Sequence, residues 1–456
     1  MIRLFLRILI IILGFYSCGK KEWLDEKLNQ SLALPYTLAD LQALLDNSTD
    51  VMNNFCPFMH ESASDGHYLP DVVYSGSLGG VEKNAYTWSN IYPYNSVGDW
   101  NFSYKKIFYC NIVLEQLEKI AISSTSEQQI WNNVKGQALF LRGKTFFELS
   151  QVFAPAYIEL TAQEDLGISI RLTSDINVPS FRTSVKETYE QIINDLIEAK
   201  DLLPVNSAFK TRANRPSVHA MLARVFLSME DYVKAGQYAN EALNLYNTLI
   251  DFNSLDSNSG NPISRFNSEV LFHSSLINAA SVWTLDMLID TSWYGLYDMD
   301  DLRRVIYFQK NSDNTVSFKG TYEGEILAFG GLAVDELFLI RAECYARNDK
   351  VTEAMNDLNA LMVKRWRNTV PFPTFSAVNA DDALRKILAE RKKELMLRGL
   401  RWSDLRRLNR DPRFQITITR TVQGDTFTLD PNSYKYTFPI PDDIIQMTGM
   451  QQNPGW

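Results

Sequence analysis

The chain has 456 residues, enough for a large core or interleaved subdomains, and its 45% hydrophobic and 22% charged content is that of an ordinary globular protein. A formal net charge of −9 argues against a binder of nucleic-acid backbones, which presents a basic surface. Four cysteines and four histidines (His60, His67, His219, His273) show no ligand-like spacing, so we expect no disulfide framework, structural metal or cofactor.

The first predicted element is a leader. Arg3 and Arg7 precede an apolar run, 8–15, that is too short to span a bilayer as a mature helix. It ends in Gly14-Phe15-Tyr16-Ser17-Cys18, which resembles a bacterial lipobox. Residues 1–17 are therefore expected to be a signal peptide, with Cys18 diacylated and first in the mature protein. Two acyl chains hold a protein stably on a bilayer where one is marginal. No later segment approaches transmembrane length, so 18–456 should form a single soluble domain.

Helical periodicity with start and stop signals then marks 37–45, 104–120, 128–153, 185–203, 217–229, 232–246, 333–346, 351–364 and 380–408. Antiparallel helix pairs are implied. Two look like copies of one unit: Ala223 and Ala235 flank the turn Met229-Glu230-Asp231-Tyr232, with Ala239 one turn later. Ala342 and Ala354 have the same spacing around Arg347-Asn348-Asp349-Lys350, with Leu358 in the place of Ala239. Small residues there let two helices approach closely, which predicts a mostly α fold with tetratricopeptide-like hairpins as its scaffold.

Between the helical blocks, 65–100, 249–281 and 311–331 are rich in Gly, Ser, Asn, Asp and aromatics and read as long loops, the places where function concentrates. The region 249–331 reads as a loop-rich ligand-binding part inserted between helix pairs. Near the C-terminus, 414–428 alternates polar and apolar residues around Gln423-Gly424-Asp425, which predicts a small β-hairpin.

The chain carries Trp100-x-x-x-Tyr104-x-x-Ile107-x-x-x-Asn111, Ala138-x-x-x-Arg142, and Tyr189-x-x-Ile192-x-x-Asp195-Leu196-x-x-Ala199. Further on stand Glu336-Leu337-Phe338-Leu339-Ile340-Arg341-Ala342-Glu343, then Glu390-Arg391-x-x-Glu394-Leu395 and Gly399-x-Arg401-x-x-Asp404-Leu405-x-Arg407. Tyr436-x-Phe438-Pro439-Ile440-Pro441 and Gln452-Asn453-Pro454-Gly455 close the series. With these motifs the chain resembles the SusD/RagB nutrient-binding lipoproteins of Bacteroidetes outer membranes. Arg398 departs from the acidic residue that the family often has before the glycine, which puts one ion pair in doubt. The resemblance implies a surface-exposed outer-membrane lipoprotein, not an enzyme, that holds an oligosaccharide, or in some members a peptide, for a TonB-dependent (SusC-like) transporter. Lys20-Lys21-Glu22 behind Cys18 is similar to the export signals of such lipoproteins.

On a helix, Glu390, Arg391, Glu394 and Arg398 fall at i, i+3 or i+4 spacing and are expected to pair along one face, with Gly399 supplying a helix end. A glycosidase reading would take Glu394 and Asp404 as acid and base. With 54 acidic residues, however, chance proximity of carboxylates is common, and framework ion pairs are the expectation.

Sugar recognition in water uses flat aromatic faces beside polar side chains that bond the hydroxyls. The loops offer Trp283, Trp293, Tyr294, Tyr68 and Tyr74 as faces, with Asp65 and His67 as polar contacts. Trp293 is expected to stand exposed without ligand. Trp88 and Trp100 are expected in the core, and Tyr297, Asp301 and Arg303 in the framework.

Overall fold

A computed structural model describes residues 37–456. The expected signal peptide 1–17, the expected acylation site Cys18 and the charged trio Lys20, Lys21 and Glu22 lie outside the described residues. The long helices are α1 (Leu38–Leu45), α2 (Gly98–Leu117), α3 (Thr125–Phe153), α4 (Val185–Leu202), α5 (Arg215–Ser228), α6 (Tyr232–Leu245), α7 (Val334–Arg347), α8 (Val351–Met362), α9 (Ala380–Glu394) and α10 (Arg401–Leu408). Among the described residues, eight short strands form four two-stranded sheets. The fold is mostly α, as the periodicity predicts.

Local chemistry starts these helices where the sequence places them. Ser184 accepts from the Glu187 amide at 3.1 Å while the Glu187 carboxylate accepts from the Ser184 amide at 2.8 Å, a capping box that opens α4. Asn214 and Ser217 do the same for α5, where Pro216 sits in the first turn and needs no intrahelical donor. The packing is sequential: α2 on α3, α3 on α4, α4 on α5, α5 on α6, then α6 across the inserted region to α7, which packs on α8 and α9. Helix α3, 29 residues or ~44 Å long, runs through the centre with nearly all of its second half buried.

The two proposed repeat units are real structural copies. Ala223, Ala235, Ala239, Ala342, Ala354 and Leu358 are all fully buried, and Glu230 and Asp349, seven residues after the first alanine of each unit, both adopt positive φ, +60° and +57°. The same backbone reversal thus closes both hairpins, and the small residues set the helix separation.

The motif residues clamp this scaffold. Arg142 of α3 grips Asp195 of α4 at 2.8 and 2.7 Å and donates to Asn111 of α2 at 2.9 Å, so one guanidinium fixes three helices. Arg224 of α5 holds Glu336 of α7 at 3.0 and 2.6 Å. The expected pairing of Glu390, Arg391, Glu394 and Arg398 along one face is corrected: none of the four pairs with another of them. Arg391 bonds Asp404 at 2.8 Å, Glu394 bonds Arg303 and Arg365, Glu390 bonds Arg303 and Lys393, and Arg398 bonds Asp335 at 3.0 Å. Helix α9 is covered by other elements, and a buried charge is stable only with partners that approach from the covering side. The stretch 380–408 is also two helices rather than one, broken where Leu397 and Gly399 take φ +56° and +68°.

The segments 65–100, 249–281 and 311–331 are not bare loops. Short helices Asp71–Gly76 and Gly80–Thr87 and the strands β1 (His67–Tyr68), β2 (Val270–Phe272), β3 (Leu288–Ile289), β4 (Phe308–Lys310), β5 (Val316–Phe318) and β6 (Leu332–Ala333) organise them. They share a second core built from Tyr74, Tyr86, Phe252, Trp293, Tyr297, Tyr307, Phe308, Phe318 and Tyr322. The generous aromatic content therefore serves packing first. The hairpin predicted at 414–428 is present as β7 (Ile418–Val422) and β8 (Asp425–Leu429); Gln423 and Gly424 both have positive φ, +54° and +86°, the conformation a two-residue hairpin turn needs.

Candidate functional site

The inserted region and the β7–β8 hairpin meet along a groove of about 540 Å³. One wall is Asp65, Gly66, His67 and Tyr68, where β1 pairs antiparallel with β3. Asp290, Thr291 and Trp293 form the end, and residues 416–421 form the floor. Along β7, Ile418, Arg420 and Val422 are buried while Thr419 and Thr421 are exposed, so the period-2 alternation turns threonine hydroxyls to the open side.

Four of the seven residues singled out from the sequence, Asp65, His67, Tyr68 and Trp293, converge on this groove. The other three do not line it. Tyr74 is buried against Tyr86, with ring centroids 6.1 Å apart. Tyr294 lies edge-on to Phe308 at 5.6 Å under the Arg304 guanidinium at 4.2 Å. Trp283 is half-buried in the turn after Ala280–Val282, its indole Nε1 without a hydrogen-bond partner. Trp88 and Trp100 are in the core, and Tyr297, Asp301 and Arg303 in the framework, as expected.

The expectation that the Trp293 ring stands free is corrected: it is only 7% exposed. On one side a Cβ placed on Gly66 would come within 3.0 Å of the indole, and Gly66 has φ +101°, so only glycine suits that position. Over the ring the Lys392 ammonium stands 3.8 Å from the centroid. Trp293 is thus a packed end wall of the groove. Tyr68, 38% exposed, is the aromatic of the set left open to solvent.

Charge organises the rest. Arg401 grips Asp65 at 2.6 and 2.9 Å. Burial alone would raise the Asp65 carboxyl, but the Arg401 guanidinium more than offsets it and holds the group below its usual value. The His67 imidazole is pushed down to about 3 by burial, reinforced by the Arg420 charge, so it stays neutral, and its Nε2 has no hydrogen-bond partner. Arg420 donates to the carbonyls of Ser62 at 2.9 Å, Ser64 and Tyr86. Behind Trp293 a recess of about 10 Å³, room for one water-sized group, is lined by Asp65, His67, Trp293, Lys392, Arg401 and Glu61. Burial raises the Glu61 carboxyl to about 7, but the recess is far too small for a sugar ring to meet it.

Glu394 has no exposed side-chain surface and is held by two arginines; Asp404 accepts from Arg391 and Arg407. Both are engaged as counter-ions, which leaves no free acid–base pair of the glycosidase kind between them. A more apolar cavity of about 240 Å³ lies under the C-terminal tail, walled by Pro155, Tyr434, Tyr436, Asn453 and Pro454. Asn453 there donates to the carbonyls of Phe153 and Phe438 at 2.9 and 2.6 Å, so these residues close the fold, and the hydroxyl-lined groove is the better ligand site.

Lys392, Arg401, Arg420 and the threonine face were not among the site residues read from the sequence. The alternation in 418–422 was a signal for the last of these. Lys392 stands in the run Arg391-Lys392-Lys393, and nothing in that run separates it from its neighbours.

Residues 22–227 match the model of a SusD-like family described as starch-binding and associating with the outer membrane, and residues 306–456 match that of the SusD family. The two matches together take in well over half of the chain. SusD-like protein P2 of Formosa agariphila is 32% identical over 114 residues, covering 25% of this chain and 21% of that protein; the match thus spans about a fifth of the relative's length. A SusD superfamily protein of Bacteroides thetaiotaomicron superposes with TM-score 0.75 at 21% identity over 92% of this chain and 100% of its own. A SusD-like carbohydrate binding protein of Bacteroides vulgatus gives 0.69 at 20% identity over 91% and 97%. At such identities the superpositions establish the fold.

Proposed function

The chain belongs to the SusD family, and from that membership we propose that it captures an oligosaccharide at the cell surface and passes it to a partner TonB-dependent outer-membrane transporter. The family is one of carbohydrate-binding proteins associated with the outer membrane. The observation that carries the reading is the groove: Asp65, His67, Tyr68 and exposed threonine hydroxyls surround a space large enough for one or two sugar rings. Open hydroxyls and one solvent-facing aromatic suit a ligand made of hydroxyls and apolar ring faces. Calorimetry on the detergent-solubilised full chain should find a binding oligosaccharide, and Thr419→Trp, which fills the groove from an exposed strand position, should weaken it at least tenfold without lowering the melting temperature. Undiminished binding in that variant would move the site elsewhere.

The anchor belongs to the same proposal. No helix among the described residues is long and apolar enough to cross a membrane, and Cys18 is the acylation site that the leader points to. Cys18→Ala should shift the protein from the outer-membrane fraction to the soluble fraction; a variant that still sediments with the membrane is anchored by something else.

A further inference from the structure

Most charges around the groove are paired. Asp65 is taken by Arg401, Asp404 by Arg391 and Arg407, and Asp290 accepts from the Ser292 amide at 2.7 Å as a helix cap. Two cations are different. Among the described residues no carboxylate lies within 4 Å of the Lys392 ammonium or the Arg420 guanidinium. Arg420 is satisfied by three carbonyls and stands 4.0 Å from the Tyr86 ring centroid, with Asp65 acting on it only from beyond ion-pair distance. Lys392 has the π face of Trp293 beneath it, at 3.8 Å, with Asp65 and Asp290 acting on it only from beyond ion-pair distance. Beside it His67, 5% exposed, carries an imidazole Nε2 with no partner and lines both the groove and the recess behind Trp293.

The Lys392 ammonium and the neutral His67 imidazole line a recess with room for one water-sized group, beside Glu61 and the paired Asp65 and Arg401, and form a receptor for a single anionic oxygen next to a site for sugar rings. We infer that the oligosaccharide held by this groove is acidic, carrying a carboxylate or a sulfate ester that seats between Lys392 and His67. The inference rests on the capture reading and adds its ligand class. An acidic ligand completes what the fold leaves open, since a partly buried cation without an anion is costly and regains a partner only on binding. It also accounts for Trp293, whose indole supports the ammonium and is packed on both sides where a stacking platform would be bare.

Four probes divide the possibilities on the detergent-solubilised full chain: a trigalacturonate, its methyl triester, a galactose-sulfate disaccharide and its desulfated form. Each ester or desulfated probe keeps the rings and loses the charge. At low salt, at least one charged probe should bind about tenfold or more tighter than its neutral counterpart. The better of the two charged probes tells carboxylate from sulfate. Lys392→Gln should bring that ratio to within about twofold, and Lys392→Arg should retain most of it. Burial lowers the Lys392 ammonium to about 8, with Asp65 and Asp290 acting to raise it and Arg401 to lower it, so the preference should also fade as pH rises from about 7 to 10. Equal binding of charged and neutral probes, or a ratio that survives Lys392→Gln, overturns the acidic-ligand inference. In that case neutral binding abolished by Thr419→Trp would leave the capture reading standing, whereas no binding by any of the four, nor by neutral maltose and cellulose oligosaccharides, would defeat both.

Discussion

Glu394→Ala should destabilise the protein by about 3–5 kcal/mol, the range for removing one partner from a buried ion pair. Its Oε1 accepts from Arg365 Nε at 2.7 Å and its Oε2 from Arg303 Nη1 at 2.9 Å, and none of the three side chains is exposed. Truncation would leave two guanidinium donors without an acceptor, in a place where water cannot reach them. Part of the loss is self-limiting. Burial raises the neighbouring Glu269 carboxyl to about 7, an effect that Arg365 opposes and the Glu394 charge reinforces, so removing Glu394 would let Glu269 ionise more readily and compensate Arg365. Glu394→Gln, which retains an acceptor oxygen, should therefore cost clearly less than alanine. Denaturant unfolding at neutral pH decides it: a midpoint within error of the parent protein would mean that the network carries no stability. Binding per folded molecule should persist in both variants, because Glu394 does not line the groove.

Trp402→Ala should cost a comparable 3–5 kcal/mol, for a different reason. The indole is fully buried, stacks at 25° on Phe438 with centroids 5.7 Å apart, lies 4.7 Å from the Tyr436 ring, and donates to the Tyr436 carbonyl at 3.2 Å. It pins the C-terminal tail to α10. Alanine opens a cavity that rings held by their own backbone contacts cannot refill. Trp402→Phe keeps the stacking and loses the hydrogen bond, which should cost about 1–2 kcal/mol. A double-mutant cycle with Phe438→Ala separates packing from the intrinsic cost of each change; additivity within about 0.5 kcal/mol would mean that the two rings do not hold each other. Limited proteolysis offers a second readout, since the tail after Tyr436 should be cut first in the alanine variant.

Some of this architecture was legible in the residues because it depends on local rules. Helix starts follow from caps such as Ser184 and Asn214, the β7–β8 turn from Gln423-Gly424, and the hairpin repeat from alanines spaced identically in two places. Each is decided by neighbours within a few positions, so chain order is enough to read it. The motif arginines and carboxylates were recognisable as framework, but their partners were not. Arg303 meets Glu390 and Glu394 across about ninety positions, and Arg401 meets Asp65 across more than three hundred; a spacing argument along one helix therefore paired the wrong groups. Of the three segments first read as loops, 65–100 and 249–281 hold the short strands β1 and β2, whose partners β3 and β6 lie far away in the chain, and β5 in 311–331 is only three residues long, which leaves no periodicity to see.

The candidate site divides in the same way. Composition pointed to aromatics and polar residues in the inserted region and near Asp65, and four of those seven residues do line one groove. Which faces stay open was decided by tertiary packing alone: Trp293 is covered because Gly66 closes on one side and Lys392 stands over the ring, while Tyr68 stays exposed on a two-residue strand. The sequence by itself determined the class of structure, the scaffold repeat and the family, because helix propensity, capping and small-residue spacing act over short distances. The tertiary structure decided the pairing of charges, the shape of the groove and the two cations near it that no carboxylate pairs, because burial and electrostatic compensation are properties of everything that surrounds a group in space.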